Sequence, residues 1–484
     1  MSLTSRIARS VAARDGTGGG MDRFWAWYAE RTERVTHRTE RIPLDALDGW
    51  YTDGATGDLH HRTGKFFTVE GLDVHIPEAP VPRWSQPILN QPEVGILGIL
   101  MKEFDGVLHC LMQAKFEPGN CNGLQLSPTV QATRSNYTRV HRGKAVPYLD
   151  HFRDTARHHV VADVLQSEQG AWFYQKRNRN MIVEVRDDDI PLADDFHWLT
   201  LGQLHQLLGV DNLVNMDART VLACVPFATD APGPHPLAES GGVTDDFHRA
   251  VVRSCAAADG ALHTTVEIVS WITGIRARTD VHTRPAPLGG LPRWHRKDGV
   301  ISHESGHFFD VMAVDVTGGS REVAGWTQPM IEPRGEGVAA FVVRRVDGVL
   351  HVLAHARVEP GYSDIVEIAP TVQCTPRSLL ALPPEAAPPY LDTVLAAPPE
   401  TVRYAVSLSE EGGRFFHAVN RYVIVEAAPD EAHTAGGPGD AYRWVTLHQL
   451  AELLRHSHYV NVQARTLVAC LHSLSLRSPA MAPQ

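Results

Sequence analysis

Short, strongly apolar runs recur along the chain, and most have the length of strands rather than of helices. The stretch VGILGILMKEFDGVLHCLMQAKF (94–116) is two such runs separated by Asp105-Gly106, a pair typical of a tight hairpin turn. The runs NMIVEV (180–185) and RYVIVEA (421–427) also predict strands. A largely antiparallel sheet is therefore expected in each part of the chain.

Other segments carry their apolar residues at helical spacing. DRFWAWYAERTERV (22–35) predicts a helix near the N-terminus. LTLGQLHQLLG and VTLHQLAELLRH predict amphipathic helices that begin after Thr200 and Thr446, both good N-caps. ARTVLAC and ARTLVAC predict a further short helix each. Strands and helices together predict an α/β protein of the α+β type.

This pattern occurs twice. Trp84 of WSQP recurs as Trp326 of WTQP, 242 positions later, and DGVLH, EPG, PTVQ and PYLD repeat at the same offset. The offset grows to 246 beyond the glycine-rich stretch TAGGPGD, a natural place for a loop insertion. The chain is an internal duplication. The predicted units are a flexible tail (1–20), a first repeat (21–226), a Pro/Gly-rich linker (227–243), a second repeat (244–475) and a C-terminal tail (476–484).

Composition and charge narrow the class of protein. The 45 lysines and arginines against 56 acids give a net charge of −11, which argues against binding to nucleic acid. No apolar run reaches the length of a membrane span, and the N-terminus lacks the apolar core of a secretory signal. The six cysteines form no CxxC pair, as expected for reduced thiols. A cytoplasmic protein without membrane contact is predicted.

Common cofactor and metal motifs are missing from the sequence. It contains no GxGxxG after a strand, no GxxxxGK[ST] phosphate loop, no HExxH and no GxSxG. The 26 histidines are scattered. We therefore predict neither a cofactor nor a metal site.

The segment that follows each EPG turn is the best candidate for chemistry. Glu117 lies where a strand gives way to a turn, which suits a catalytic carboxylate; equally, it could only pin the turn, since Glu359 repeats it. After the shared PTVQ, the first copy is polar and basic, TRSNYTRVHRGK (133–144), whereas the second is apolar, TPRSLLALPPEA. Because arginines and amides bind phosphates and sugars, the first copy predicts a ligand site.

Three further features have open interpretations. Trp84 and Trp326 could each stack on a nucleobase or anchor the core. Gln131 and Gln373 persist in both copies, which favours a structural amide. Ser167 precedes a glycine at a predicted hairpin and is available to a ligand.

These motifs resemble the NDP-hexose 2,3-dehydratase family. The resemblance rests on WSQPILNQPEVGILG, LMQAKFEPGNCNGLQLSPTVQATRSNYTRVH, LQSEQGAWFYQKRNRNM and NMDARTVLAC, and it covers the chain beyond the first twenty or so residues. It implies two tandem Nudix-like mixed-sheet domains, although neither repeat contains the magnesium-binding helix motif of Nudix hydrolases. It also implies a homodimer that acts on dTDP-4-keto-6-deoxyglucose in deoxysugar biosynthesis and delivers its product to a sugar 3-ketoreductase.

The resemblance also suggests roles for the candidate residues. Glu117 or His141 would act as base, and Tyr137 as donor to the enolate or as acid. The substrate-binding candidates are Trp84, Asn120, Thr133, Arg134, Ser135, Asn136, Arg139, Ser167, Trp326, Arg357 and Gln373. The alternatives are a magnesium-dependent nucleotide-sugar hydrolase of Nudix type and a non-catalytic sugar-nucleotide binding protein.

Overall fold

The computed structural model describes residues 1–134, 146–186, 190–229, 235–239, 245–256, 260–318, 325–427 and 439–476. The strands are β1 (Arg38–Ile42), β2 (Trp50–Thr52), β3 (Leu59–His61), β4 (Thr68–His75), β5 (Arg83–Asn90), β6 (Gly95–Phe104), β7 (Val107–Phe116), β8 (Leu124–Ser127), β9 (Val130–Ala132), β10 (His159–Ser167), β11 (Arg177–Val185), β12 (Phe196–Thr200), β13 (His282–Ala286), β14 (Trp294–Lys297), β15 (Val300–His303), β16 (Phe309–Thr317), β17 (Gly325–Pro333), β18 (Gly337–Val346), β19 (Val349–Val358), β20 (Val366–Ala369), β21 (Val372–Cys374), β22 (Val402–Ser409), β23 (Val419–Glu426) and β24 (Tyr442–Val445).

The α-helices in the described ranges are α1 (Leu3–Ala12), α2 (Met21–Glu33), α3 (Asp150–Arg153), α4 (Leu201–Leu207), α5 (Met216–Leu222), α6 (Asp246–Ser254), α7 (Thr265–Arg278), α8 (Pro376–Leu379), α9 (Leu391–Leu395), α10 (Leu447–Leu454) and α11 (Val462–Ser473). Short 3₁₀ turns cover Leu44–Ala46, Thr155–Arg157, Pro236–Glu239, Leu288–Gly290, Pro384–Ala386 and Pro399–Thr401. In this part of the chain, no helix combines the length and apolarity needed to cross a membrane.

Each repeat contains one large mixed sheet, so the predicted α/β class is confirmed. The first has the order β10-β11-β6-β7-β12, with β8 beside β7 and β9 beside β6. Its pairs are antiparallel except β11 with β6, which run parallel. The second repeat forms the same sheet from β18 to β24, again with one parallel pair, β18 and β23. Asp105 and Gly106 both adopt positive φ, as the predicted hairpin turn requires.

Two smaller sheets exchange strands between the repeats. Strand β1 of the first repeat pairs with β16 of the second, and β13 of the second repeat pairs with β4 of the first. Each small sheet is completed by the partner repeat, since its edge strand comes from the other half of the chain. The two halves are therefore joined through backbone hydrogen bonds as well as through side chains.

Most of the longer helices pack into the core cluster that also contains strands of both large sheets. Thr200 and Thr446 cap α4 and α10 as predicted, and each forms a capping box with the glutamine three residues on. The largest core cluster draws buried residues from both repeats, among them Ile99 of β6 and Phe341 of β18. Leu237, in the predicted linker, is also fully buried in this cluster.

The prediction of a flexible N-terminal tail is wrong for residues 3–12. These residues form α1, whose Ile7, Ala8 and Val11 are buried against the first repeat. The Ser10 hydroxyl donates to the Leu108 carbonyl, and Ser254 of α6 makes the equivalent bond to Leu350. Helix α1 is thus the counterpart of α6, and its polar composition concealed an apolar face at helical spacing.

Candidate functional site

A cavity of about 150 Å³ lies between the two repeats, beside the EPG turn of the first. The first repeat contributes the ends of β6, β7 and β9, and the second contributes Trp326, Gln328 and the loop after β22. We call this space the first cavity. Its charged lining residues are Lys115, Glu117, Lys176, Asp217, Glu411 and Arg414.

Glu117 is held in the first cavity at the end of β7. It is buried, and its Oε1 accepts a hydrogen bond of 2.7 Å from Gln131 Nε2 and lies 3.6 Å from Lys115 Nζ. The following turn is fixed from the second repeat, because Gly119 N donates to the Gly412 carbonyl over 2.8 Å. The carboxylate therefore has a defined position on the cavity wall.

Two more carboxyl groups face the same space. Asp217 lies in the first turn of α5, whose N-cap Asn215 accepts from Ala218 N, and Glu411 lies in the loop after β22. Burial, reinforced by the charge of Glu411, raises the pKa of Asp217 well above its usual range. Burial and the charge of Glu117 raise the pKa of Glu411. Such a cluster favours carboxyl groups in different protonation states within one site.

Two basic residues of the first cavity, Lys176 and Arg414, donate hydrogen bonds to neutral groups. Lys176 is buried and donates to the Glu93 carbonyl, and burial lowers its pKa. The Arg414 guanidinium lies 4.3 Å from the centroid of the Phe67 ring and donates to Gln91 Oε1 over 3.1 Å. Burial lowers the pKa of Arg414 as well. These groups place positive charge where an anion or an anionic intermediate could bind.

The equivalent positions in the second repeat, which we call the second site, surround Glu359. Here Arg357 Nε donates to Glu359 Oε1 over 2.8 Å, Gln373 Nε2 donates to the same oxygen over 3.1 Å, and Ala171 N donates to Oε2 over 3.1 Å. Glu359 therefore has donors on both oxygens and is suited to a structural role.

Four charged residues of the first cavity have neutral counterparts at the second site. Counted by the repeat offset, Lys176 corresponds to Ala418, Asp217 to Gln463, Glu411 to Gln169 and Arg414 to Trp172. The shared skeleton is thus common to both repeats, whereas these four ionisable groups, two from each repeat, all line the first cavity. The first cavity therefore contains ionisable groups of the kind that proton transfer requires.

The two tryptophans lie across from their own repeats. Trp326, of the second repeat, lines the first cavity, and its indole N–H donates to Gln328 Oε1. The Nε2 of the same Gln328 donates to the Gly413 carbonyl. Trp84, of the first repeat, makes the same bond to Gln86 and packs in a cluster with Val358 of the second repeat. Each tryptophan therefore belongs with the other repeat's EPG turn.

The remaining predicted site residues do not all lie at the first cavity. Thr133 lines the first cavity, and the exposed Arg134 follows it. Asn120 is buried in the EPG turn, where its Nδ2 donates to the Gly123 carbonyl. Ser167 is not part of the cavity lining; its Oγ donates to Glu367 over a distance of 2.5 Å. Arg357 and Gln373 belong to the second site. Ser135, Asn136, Tyr137, Arg139 and His141 lie outside the described residues.

Sequence analysis missed Lys176, Asp217, Glu411 and Arg414 as site residues. The signal was present in the same comparison of repeats that singled out residues 133–144: QKRN against HAVN, NMDART against NVQART, and EQGAW against EEGGR. Two of these residues belong to the second repeat's loop, and only the fold places that loop beside Glu117.

Comparisons with known proteins identify the family to which the chain is similar. A family model described as NDP-hexose 2,3-dehydratase matches residues 21–225 and again residues 265–471. The chain is 54% identical to a dTDP-4-dehydro-6-deoxy-alpha-D-glucopyranose 2,3-dehydratase of Saccharopolyspora spinosa, over 93% of this chain and 91% of that protein. Proteins with the same name from Amycolatopsis orientalis and Streptomyces violaceoruber are each 48% identical, over 97% and 93% of this chain and 93% and 97% of theirs.

Proposed function

Since the chain belongs to the NDP-hexose 2,3-dehydratase family, we propose that it removes water across C2 and C3 of dTDP-4-keto-6-deoxyglucose. The product is the dTDP-linked 3,4-diketo-2,6-dideoxyhexose. The observation that carries this proposal is the cluster of Glu117, Asp217 and Glu411 in one cavity beside Lys176. Elimination needs a base and an acid within reach of one sugar ring, and this cluster contains carboxyl groups able to serve as both.

The C4 ketone of the substrate makes this chemistry possible without an oxidant. It acidifies the hydrogen on C3, so a carboxylate can take that proton and leave an enolate whose charge rests on the C4 oxygen. The enolate then expels the C2 hydroxyl, and the resulting enol becomes the 3-ketone by taking a proton at C2 and losing its hydroxyl proton. The reaction is redox-neutral overall, because the reduction at C2, where oxygen is lost, balances the oxidation at C3, which becomes a ketone.

The first-repeat residues fit these roles as follows. Glu117 is the proposed base, with His141 as its alternative, and Tyr137 is the proposed donor to the enolate. Lys176 adds positive charge near the developing enolate. Arg134 and Arg139 are proposed to meet the diphosphate, together with Arg414 from the second repeat.

The fold and setting follow from the same family. We propose that each repeat is a Nudix-like domain, in support of which each large sheet is mixed and contains one parallel pair. A cytoplasmic homodimer working in antibiotic deoxysugar biosynthesis is proposed, with a sugar 3-ketoreductase acting on the reactive diketone. The polar segment after Gln131 should serve the first cavity only.

The test is incubation with dTDP-4-keto-6-deoxyglucose, with and without chelator and a 3-ketoreductase, followed by NMR. Loss of the C2 hydroxyl that is insensitive to chelator supports the dehydratase. Release of a sugar phosphate that depends on magnesium would indicate a Nudix-type hydrolase instead, and no consumption would indicate a binding protein. In the same assay, Tyr137→Phe and Arg134→Ala should abolish turnover, whereas Arg377→Ala should not.

A further inference from the structure

We propose that Asp217 is the catalytic acid that protonates the departing C2 hydroxyl, an inference that rests on the dehydratase function proposed above. Asp217 forms part of the wall of the first cavity and comes from α5, far in sequence from the EPG turn. The proposal gives it a task distinct from that of Glu117, which takes the proton from C3.

The first argument is geometric. Asp217 is only 3% exposed, and its buried Oδ1 has no hydrogen-bond partner within the described residues. Its helix is fixed on both sides, since every residue from Met216 to Leu222 is buried. A buried carboxyl oxygen at the wall of a cavity without a hydrogen-bond partner is unusual, because buried polar groups are normally paired.

The second argument concerns the location of protons. Lys115 lies near Glu117, Lys176 donates to the Glu93 carbonyl, and Arg414 donates to Gln91 and to Gly413. Burial raises the pKa of Asp217, and the negative charges of Glu411, Glu168 and Glu117 raise it further, against a smaller opposing effect of Lys115. The acidic form of Asp217 is therefore favoured, whereas Glu117 lies beside Lys115 and accepts a hydrogen bond from Gln131.

The third argument is the counterpart at the second site. Gln463 occupies the equivalent position, and it can donate a hydrogen bond but cannot release a proton. Gln463 Nε2 points to Glu410 Oε2 at 3.5 Å. The position thus carries a neutral amide at the second site and an acid in the first cavity.

The proposed step is balanced as follows. The enolate forms the C2–C3 double bond as its C4 carbonyl re-forms, the C2–O bond breaks with its electron pair going to oxygen, and that oxygen takes the proton of Asp217 and leaves as water. Asp217 remains as a carboxylate and regains a proton when the C3 hydroxyl of the enol ionises. The proton held by Glu117 is available for C2.

The experiment separates the two proton transfers. Wild type, Asp217→Asn and Glu117→Gln are incubated with substrate in D₂O, and deuterium at C3 of the unreacted sugar is followed by NMR alongside product formation. For Asp217→Asn we expect at least a 100-fold loss of dehydration with continued exchange at C3 above the rate without enzyme. Glu117→Gln should lose both. Gln463→Asn, the matched change at the second site, should retain both.

Several results would overturn the assignment. Normal dehydration by Asp217→Asn would leave the residue without a catalytic task. Loss of exchange and dehydration together would make Asp217 the base or a structural group. Asp217→Glu, which keeps the acid, should recover part of the dehydration and provides the same comparison if the asparagine variant does not fold. Normal dehydration by wild type upholds the parent function whichever result the variants give.

Discussion

Arg219 and Arg465 bind reciprocally across the two repeats. Both are completely buried; Arg219 Nη2 donates to the Ser409 carbonyl over 2.7 Å, and Arg465 Nη2 donates to the Ser167 carbonyl over 2.6 Å. Each also donates through Nη1 to a carbonyl of its own repeat, Val214 and Val460. The loops that begin at Ser409 and Ser167 are therefore anchored by the other half of the chain.

Replacing either arginine should destabilise the protein to the same extent. Arg219→Met and Arg465→Met each leave two buried carbonyl oxygens without their arginine donor, at a cost on the order of 4 kcal/mol in the free energy of unfolding. Urea denaturation measures this, with the exposed Arg278→Met as control. A large effect from only one of the two changes would contradict their structural equivalence.

Replacing Glu117 should affect turnover, whereas replacing Glu359 should affect stability. Glu117→Gln should lower kcat by about 10²- to 10⁴-fold, because it removes the proposed base, while leaving the fold intact. Glu359→Gln should lower the Tm and change kcat little, since Glu359 is held by Arg357, Gln373 and Ala171 N. Turnover and thermal unfolding measured on both variants check this, and the reverse pattern would move the chemistry to the second site.

Neutralising Glu411 should shift the pH profile of turnover. The charge of Glu411 raises the pKa of Asp217, so Glu411→Gln should lower that pKa. Turnover that needs protonated Asp217 should then decline at a lower pH on the alkaline side than in wild type. The measurement is kcat against pH, with Gln169→Asn at the second site as control. An unchanged alkaline limb would separate Glu411 from the acid.

Glu367 should make the protein less stable as pH rises from about 4.5 to 7. Burial raises its pKa from 4.5 to about 7, so the folded state holds a proton that the unfolded chain releases in this range. The contribution of protonated Glu367 to the free energy of unfolding is fully present below the pKa that this group has in the unfolded chain. It is lost as pH rises through the pKa that the group has in the folded protein. Glu367→Gln should therefore gain stability relative to wild type across this window, on the order of 3 kcal/mol by pH 7. Denaturation at several pH values tests it; a constant difference would refute it.

The close approach of the two EPG turns to the opposite repeat should tolerate no side chain. A Cβ on Gly119 would lie 1.9 Å from the Phe415 carbonyl oxygen, and one on Gly361 would lie 1.8 Å from that of Phe173. Gly119→Ala and Gly361→Ala should each cost about 3 kcal/mol. Gly54→Ala meets nothing within 4 Å and should be neutral, which a comparison of Tm values can establish.

Local structure was readable from the sequence, whereas the site was readable only in part. Thr200, Thr446 and the Asp105-Gly106 turn obey short-range rules of capping and turn geometry, so they were predicted correctly. Two of the predicted site residues, Glu117 and Thr133, line the first cavity. Asp217 and Glu411 could not be placed beside them, because strand exchange between repeats is a long-range property. Helix α1 was missed since its serines and arginines resemble a disordered leader.

The exchanged strands also constrain how this gene can change. A truncation after the first repeat would remove β13 from its sheet and β16 from β1, and it would delete Trp326, Glu411 and Arg414 from the cavity. Selection that maintains the first cavity therefore acts on both copies. The second repeat has the neutral residues Ala418 and Gln463 at its own site, yet it cannot be discarded.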